Sequence, residues 1–204
     1  MKTLVKICGV TRVRDARLAV SLGATMIGCV LAPDSKRRAT IPKAREIVRA
    51  VGGTVPVVLV FRETTQEAVL NACARTGATT VQLHIYEEAQ CAALEAARLR
   101  VLRVRRVDSL ARELPAFEPA PGPKRLFLLD SGRGGTGLTW DWNLLGPRAP
   151  KHVFIAGGIN PANVGDLMKF KPYGIDLAGG VESSPGVKDA ARLRALFDAI
   201  GGAS

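Results

Sequence analysis

The chain has 204 residues, 47% of them hydrophobic and 23% charged, with a formal net charge of +11. That length supports one substantial core, and no apolar run approaches the roughly 18 residues of a membrane span. The N-terminus enters a strand-like run without a signal-peptide pattern, so a cytoplasmic protein with no membrane partner is expected.

The four cysteines, Cys8, Cys29, Cys73 and Cys91, lie in apolar stretches and never as CxxC. This points to reduced thiols and away from disulfides or a metal site. The basic residues are dispersed over predicted helices (Arg12, Arg14, Arg17, Arg45, Arg49, Arg98, Arg192, Arg194), and only 5% of the chain is aromatic. A nucleic-acid binder would gather its charge into a stripe or tail and supply stacking rings. The dispersed pattern predicts a solvated surface with a general attraction for anions, and no nucleic-acid partner.

In chain order, a strand is expected over 4–8 and a helix over 12–22, then strand 25–31 and helix 42–51. Strand 56–61 precedes helix 65–76, and strand 79–84 precedes helix 88–97. Strands follow at 100–106, 125–130, 152–156 and 173–178, and a last helix at 188–200. The strand runs are apolar or β-branched and too short for helices, whereas the intervening segments are Ala/Arg/Glu-rich with helical spacing. "LGATMIG" (22–28) and "TGATTVQ" (76–82) echo each other: a helix ends at a glycine and a strand begins at once. Eight such steps predict an α/β fold, a (β/α)8 TIM barrel forming a single domain over 1–204. A doubly wound sheet would show five or six strands and GxGxxG after the first, and neither is present. Segment 107–124, with "PAFEPAPGPK", reads as an irregular connection.

Barrel strands point alternate residues inward, and barrel active sites form at the C-terminal strand ends. Cys8, His84 and Asp130 occupy such ends, with Lys6, Gln82 and Asp176 one layer lower. Taken singly, the cysteine is an ordinary buried hydrophobe, the histidine a wall residue and the aspartate a turn former. Together at the ends of strands 1, 4 and 6 they form a candidate site. Gly9 lets the chain turn sharply over the mouth.

"IAGGIN" after strand 7 and "LAGGVESSPG" after strand 8 place Gly157, Gly158, Gly179 and Gly180 where barrels bind phosphate. "GRGGTG" (132–137) reads as a mobile loop over the mouth. "DSKRR" (34–38) leaves the mouth of strand 2, across the barrel from the phosphate loops, and its Lys36, Arg37 and Arg38 are either solvated charge or supply one arginine as a carboxylate clamp. A small phosphate ester with a second acidic group is the implied ligand. With only His84 and His152 in the chain, a metal cluster is a poor reading.

These motifs resemble a known family. "KICGVT", "SKRR", "VQLH", "LLDS…GGTGLTWDW", "AGGINPANV" and "IDLAGGVESSPGVKD" are similar, in order, to phosphoribosylanthranilate isomerases of tryptophan biosynthesis. The resemblance implies an Amadori rearrangement of N-(5-phosphoribosyl)anthranilate to 1-(o-carboxyphenylamino)-1-deoxyribulose 5-phosphate, with no metal or organic cofactor. It implies Cys8 as general base, Asp130 as general acid and Arg37 on the anthranilate carboxylate, with Arg38 then expected to face solvent. His84, Asp176 and the four loop glycines complete the expected substrate-binding set, in a monomer or homodimer. Lys6 either stabilises a Cys8 thiolate or is neutralised by Asp176, and Asp130 is expected to be made less acidic by desolvation. The chain departs from the family's usual pattern at Ile85, at Arg62 and Glu63, and at Ala178.

Overall fold

The computed structural model describes residues 2–108, 110–123, 125–131 and 139–202. Eight parallel strands close in chain order: β1 (Leu4–Ile7), β2 (Met26–Val30), β3 (Val57–Phe61), β4 (Thr80–Leu83), β5 (Arg100–Arg106), β6 (Arg125–Asp130), β7 (Val153–Ile155) and β8 (Gly174–Leu177). β8 pairs back onto β1, with Lys6 opposite Asp176. Every strand falls within its expected span. The reason is that a barrel strand is buried on both faces, which requires a nearly continuous apolar run.

Alternation sorts the side chains into two cores. Cys8, Met26, Val58, Val60, Leu102, Val104, Leu126, Leu128, Phe154 and Ala156 form the inner cluster. Residues of opposite parity, such as Ile7, Ile27, Leu59, Val81, Phe127 and Ile175, pack outward against the helices. Each buried Val, Leu, Ile or Phe contributes about 1.5–3 kcal/mol. Phe154 plugs the base of the barrel over Gly174, where a Cβ would lie 2.5 Å from the ring. Among the outward residues, Arg103 is charged yet almost fully buried, and it bonds Glu88 at 3.0 Å and Glu95 at 2.7 Å.

The helices are α1 (Val13–Leu22), α2 (Ile41–Val51), α3 (Gln66–Thr76), α4 (Glu88–Ala96), α5 (Val164–Met168) and α6 (Ala190–Gly202). α1 and α3 end at Gly23 (φ 116°) and Gly77 (φ 82°), both left-handed, as the repeated motif requires. Thr40 and Thr65 cap α2 and α3 by accepting from Lys43 N and Ala68 N.

The eight-stranded (β/α)8 barrel is as expected, and two of its connections carry no α-helix among the described residues. Among the described residues no helix joins β5 to β6, and only a 3-10 helix, Trp142–Leu145, lies between β6 and β7. Pro115, Pro119, Pro121 and Pro123 remove backbone donors from the first connection, and a helix there would lose its ladder. Beyond β8 a short antiparallel hairpin appears, β9 (Glu182–Ser184) and β10 (Val187–Lys188), which turns at Gly186 with φ 80°. The "GRGGTG" run at 132–137 lies outside the described residues.

Candidate active site

Parity on β1 sends Lys6 and Cys8 into the barrel, Lys6 fully buried and Cys8 just past the last strand residue. Cys8 N–H donates to Leu177 O at 2.7 Å, which seats the strand end against β8. Lys6 Nζ donates to Asp176 Oδ1 at 2.8 Å, and its charge acts on the neighbouring Cys8 thiol. Of the two sequence alternatives for Lys6, the structure shows the pairing with Asp176, while the pull of Lys6 on the thiol is outweighed by burial.

Room for this arrangement comes from Gly28, the inward residue at the middle of β2. A Cβ there would lie 2.7 Å from Cys8 Sγ, 3.0 Å from Cys8 Cα and 3.1 Å from Lys6 Nζ. Burial disfavours charge on Lys6, but the Asp176 carboxylate and Cys8 outweigh it and raise the Lys6 pKa. Burial also dominates at Cys8 and raises its pKa, against the lowering pull of Lys6. At neutral pH the pair is an ammonium beside a thiol.

Asp130 closes β6 and is largely buried, in register with Arg106 at the end of β5. β7 and β8 separate β6 from β1, so Asp130 and Cys8 flank the mouth from different sides. His84 follows β4 and is exposed to the mouth, with Nε2 3.0 Å from Gln82 Nε2. With the amide as donor, His84 Nε2 accepts and the ring proton sits on Nδ1. The surrounding protein and then the Lys6 charge lower the His84 pKa to about 4, so the ring is neutral at physiological pH. Gln82 Oε1 is buried without a hydrogen-bond partner among the described residues.

The β7 and β8 loops meet. A Cβ on Gly180 would collide with Ile159 O, and one on Gly157 would lie 2.8 Å from Ser131 Oγ. Gly157 (φ 97°) and Gly158 (φ 65°) are left-handed, and Asn160 and Asn163 side chains hold Gly158 O at 3.2 and 3.0 Å. Neither Gly157 nor Gly158 N–H donates to a protein acceptor among the described residues. Loops built in this way can wrap an anion with backbone donors.

Arg37 sits elsewhere than expected. Its Nε donates to Glu182 Oε1 and Oε2 at 3.0 and 2.9 Å, and its Nη2 lies 2.8 Å from Oε2. A Cβ on Gly179 would stand 3.3 Å from Nη2. The guanidinium thus lies beside the β8 loop, not across the barrel from it, because only β1 separates β2 from β8. Arg38 is exposed, as expected.

Sequence reasoning missed Gly28, Glu182 and Lys188. A glycine inside the apolar strand "MIGCV" was the available sign of the first. Lys188 Nζ, fully buried, donates to Cys8 O at 2.5 Å, Ala178 O at 3.2 Å and Glu182 Oε1 at 2.8 Å. At the three departures from the family's pattern, Ile85 is exposed, Arg62 pairs with Asp34 at 2.5 Å on the surface, and Ala178 O receives Lys188. Among the described residues no group of three His, Cys, Asp or Glu could hold a metal ion, and no helix is long and apolar enough to cross a membrane.

Comparison with known proteins agrees with this geometry. The family model for N-(5'-phosphoribosyl)anthranilate (PRA) isomerase matches residues 5–199. An N-(5'-phosphoribosyl)anthranilate isomerase from Pseudomonas aeruginosa (strain LESB58) is 38% identical over 198 residues, covering 96% of this chain and 94% of that protein. The crystal structure of the phosphoribosyl anthranilate isomerase from Thermus thermophilus superposes with a TM-score of 0.86 at 38% identity, covering 99% of this chain and 100% of the other. A further isomerase structure, in complex with reduced 1-(o-carboxyphenylamino)-1-deoxyribulose 5-phosphate, has a TM-score of 0.80 at 28% identity, covering 98% and 99%.

Proposed function

This chain belongs to the N-(5'-phosphoribosyl)anthranilate isomerase family and is an isomerase of tryptophan biosynthesis, and we propose that Cys8 is its general base and Asp130 its general acid. Asp130 donates a proton to the furanose ring oxygen. The C1'–O bond breaks and C1' becomes an iminium with the anthranilate nitrogen. Cys8, as thiolate, removes the C2' proton to leave an enolamine. Proton return to C1' and loss of the C2' hydroxyl proton give the ketone, so the reaction is a net isomerisation.

The observation that carries this reading is the thiol at the mouth end of β1, beside a buried ammonium, with a buried aspartate at the end of β6. A base must sit beside a group that stabilises its charged form, and Lys6 is that group. Burial keeps the thiolate scarce at neutral pH, but a thiolate with a raised pKa is a stronger base once formed.

The substrate phosphate occupies the Gly157–Gly158 and Gly179–Gly180 loops. The anthranilate carboxylate takes the free end of Arg37, whose Nη1 makes no protein hydrogen bond among the described residues. Neutral His84 supplies Nδ1–H to the sugar. Asp176 is committed to Lys6 through Oδ1, which leaves Oδ2 for a sugar hydroxyl. The ligand is a small phosphorylated molecule, and the protein works in the cytoplasm, where its free cysteines stay reduced, as a monomer or homodimer.

The test is direct turnover of freshly made N-(5-phosphoribosyl)anthranilate, followed by its fluorescence, with Cys8→Ser and Asp130→Asn alongside wild type. Each folded variant should lose roughly 10²–10⁴-fold in kcat, with little change in affinity for a reduced product analogue. Near wild-type kcat in either variant rejects that residue's role.

A further inference from the structure

Arg37 cannot reach its position by its own preferences. Its stem crosses the end of β1 at Gly9, where a Cβ would lie 2.6 Å from Arg37 Cδ, and Gly9 has φ 69°. Its head then passes Gly179 and meets Glu182 at the start of β9. Glu182 is buried, and its carboxylate is saturated: Oε1 accepts from Arg37 Nε, Lys188 Nζ and Gly186 N, and Oε2 from Arg37 Nε and Nη2. Lys188 in turn grips the carbonyls of Cys8 and Ala178.

A guanidinium has two usable edges. The side edge, Nε with one Nη, is occupied by Glu182, which leaves the end edge, Nη1 with Nη2, for a second carboxylate. Two cations surround one buried anion, so the cluster of Arg37, Glu182 and Lys188 retains a net charge of one. We propose that Glu182 is a positioning residue of the substrate site: it holds the side edge of Arg37 so that the end edge faces the anthranilate carboxylate, and Lys188 locks Glu182 to the backbone of Cys8. This rests on the role of Arg37 given above and adds the device that sets it. Without Glu182, a long and flexible side chain would have to be ordered by the substrate itself.

The experiment is a double-mutant cycle with Arg37→Ala, Glu182→Gln and the double variant, read as KM and kcat for N-(5-phosphoribosyl)anthranilate. Affinity for a carboxylate-free analogue is measured on each. Glu182→Gln keeps the shape and loses the charge; it should raise KM roughly tenfold or more while kcat changes by only a few-fold and analogue binding is retained. In the Arg37→Ala background the same change should have little further effect on KM, because the guanidinium through which Glu182 acts on the carboxylate is gone. Glu182→Asp, a shorter carboxylate, should give an intermediate KM and provides the reading if the glutamine variant folds poorly. Additive effects on KM, or an equal loss for the analogue, would overturn the inference, since Glu182 would then support the phosphate loop. An unchanged KM in Glu182→Gln alone overturns it as well. An unchanged KM in Arg37→Ala rejects the role of Arg37 itself and the inference with it.

Discussion

Gly28→Ala tests whether the Cys8 thiol, the proposed base, depends on a missing side chain. The new methyl would lie 2.7 Å from Cys8 Sγ, 3.0 Å from Cys8 Cα and 3.1 Å from Lys6 Nζ. Ordinary contacts of this kind run at about 3.5–4.0 Å, so the thiol must retreat by about 1 Å. The Lys6 ammonium can yield slightly, but it is held by Asp176, and the Cys8 Cα belongs to a strand end bonded to Leu177. A displacement of this size at a reacting group costs about 10²-fold in rate, and overpacking costs about 1–3 kcal/mol of stability. For a chain of this length, each kcal/mol lowers Tm by about 2–4 °C. The assay pairs steady-state kinetics with affinity for a reduced product analogue and a thermal melt. Gly53→Ala is the control, because nothing lies within 4 Å of a Cβ there. We expect Gly28→Ala to lose kcat and keep most of its analogue affinity. A folded Gly28→Ala protein with wild-type kcat would refute the account of how Cys8 is seated.

The remaining predictions concern the same groups. Asp176→Asn leaves the fully buried Lys6 without its carboxylate and should cost about 3–5 kcal/mol in urea unfolding. It also removes the negative charge that works against a Cys8 thiolate, so alkylation by iodoacetamide near pH 8 should speed up; a slower reaction contradicts the assignment. In the wild type, the Cys8 thiol is pushed above its ordinary 9.0 by burial, so both its alkylation rate and kcat/KM should rise about tenfold per pH unit between pH 7 and pH 9. A plateau below pH 8 would mean that Lys6 outweighs burial. Arg37→Lys keeps the charge but has no second edge to offer once it meets Glu182; KM should stay several-fold above wild type, and full recovery would show that charge alone suffices.

Much of this site could be read in the sequence because a barrel imposes two strict periodicities. Two-sided burial writes each strand as a short apolar run, and alternation then says which residues face inward. Alternation points Lys6, Cys8, Gln82, Asp130 and Asp176 inward, and all five are buried, whereas His84, one residue past β4, is exposed. Loop glycines after strands 7 and 8 were equally visible, since left-handed backbone at Gly157 and Gly158 demands that residue type. The proline-rich run between β5 and β6 announces an irregular connection, and no helix forms there among the described residues.

What the sequence by itself determined, then, is the strand order, the inward faces and the residue types gathered at the mouth, because these follow from local periodicity and from closure of the sheet. Only the tertiary structure decided which charges meet. Arg37 and Glu182 are 145 residues apart, and Lys188 and Cys8 are 180 apart. Such pairings are set by how far a loop folds back over the mouth, which no local pattern encodes. The state of Cys8 was decided there too. Its raised pKa is a balance between burial and the charges of Lys6, Asp176 and Lys188, and each of those contributions varies with distances of a few ångströms that only the packed barrel establishes.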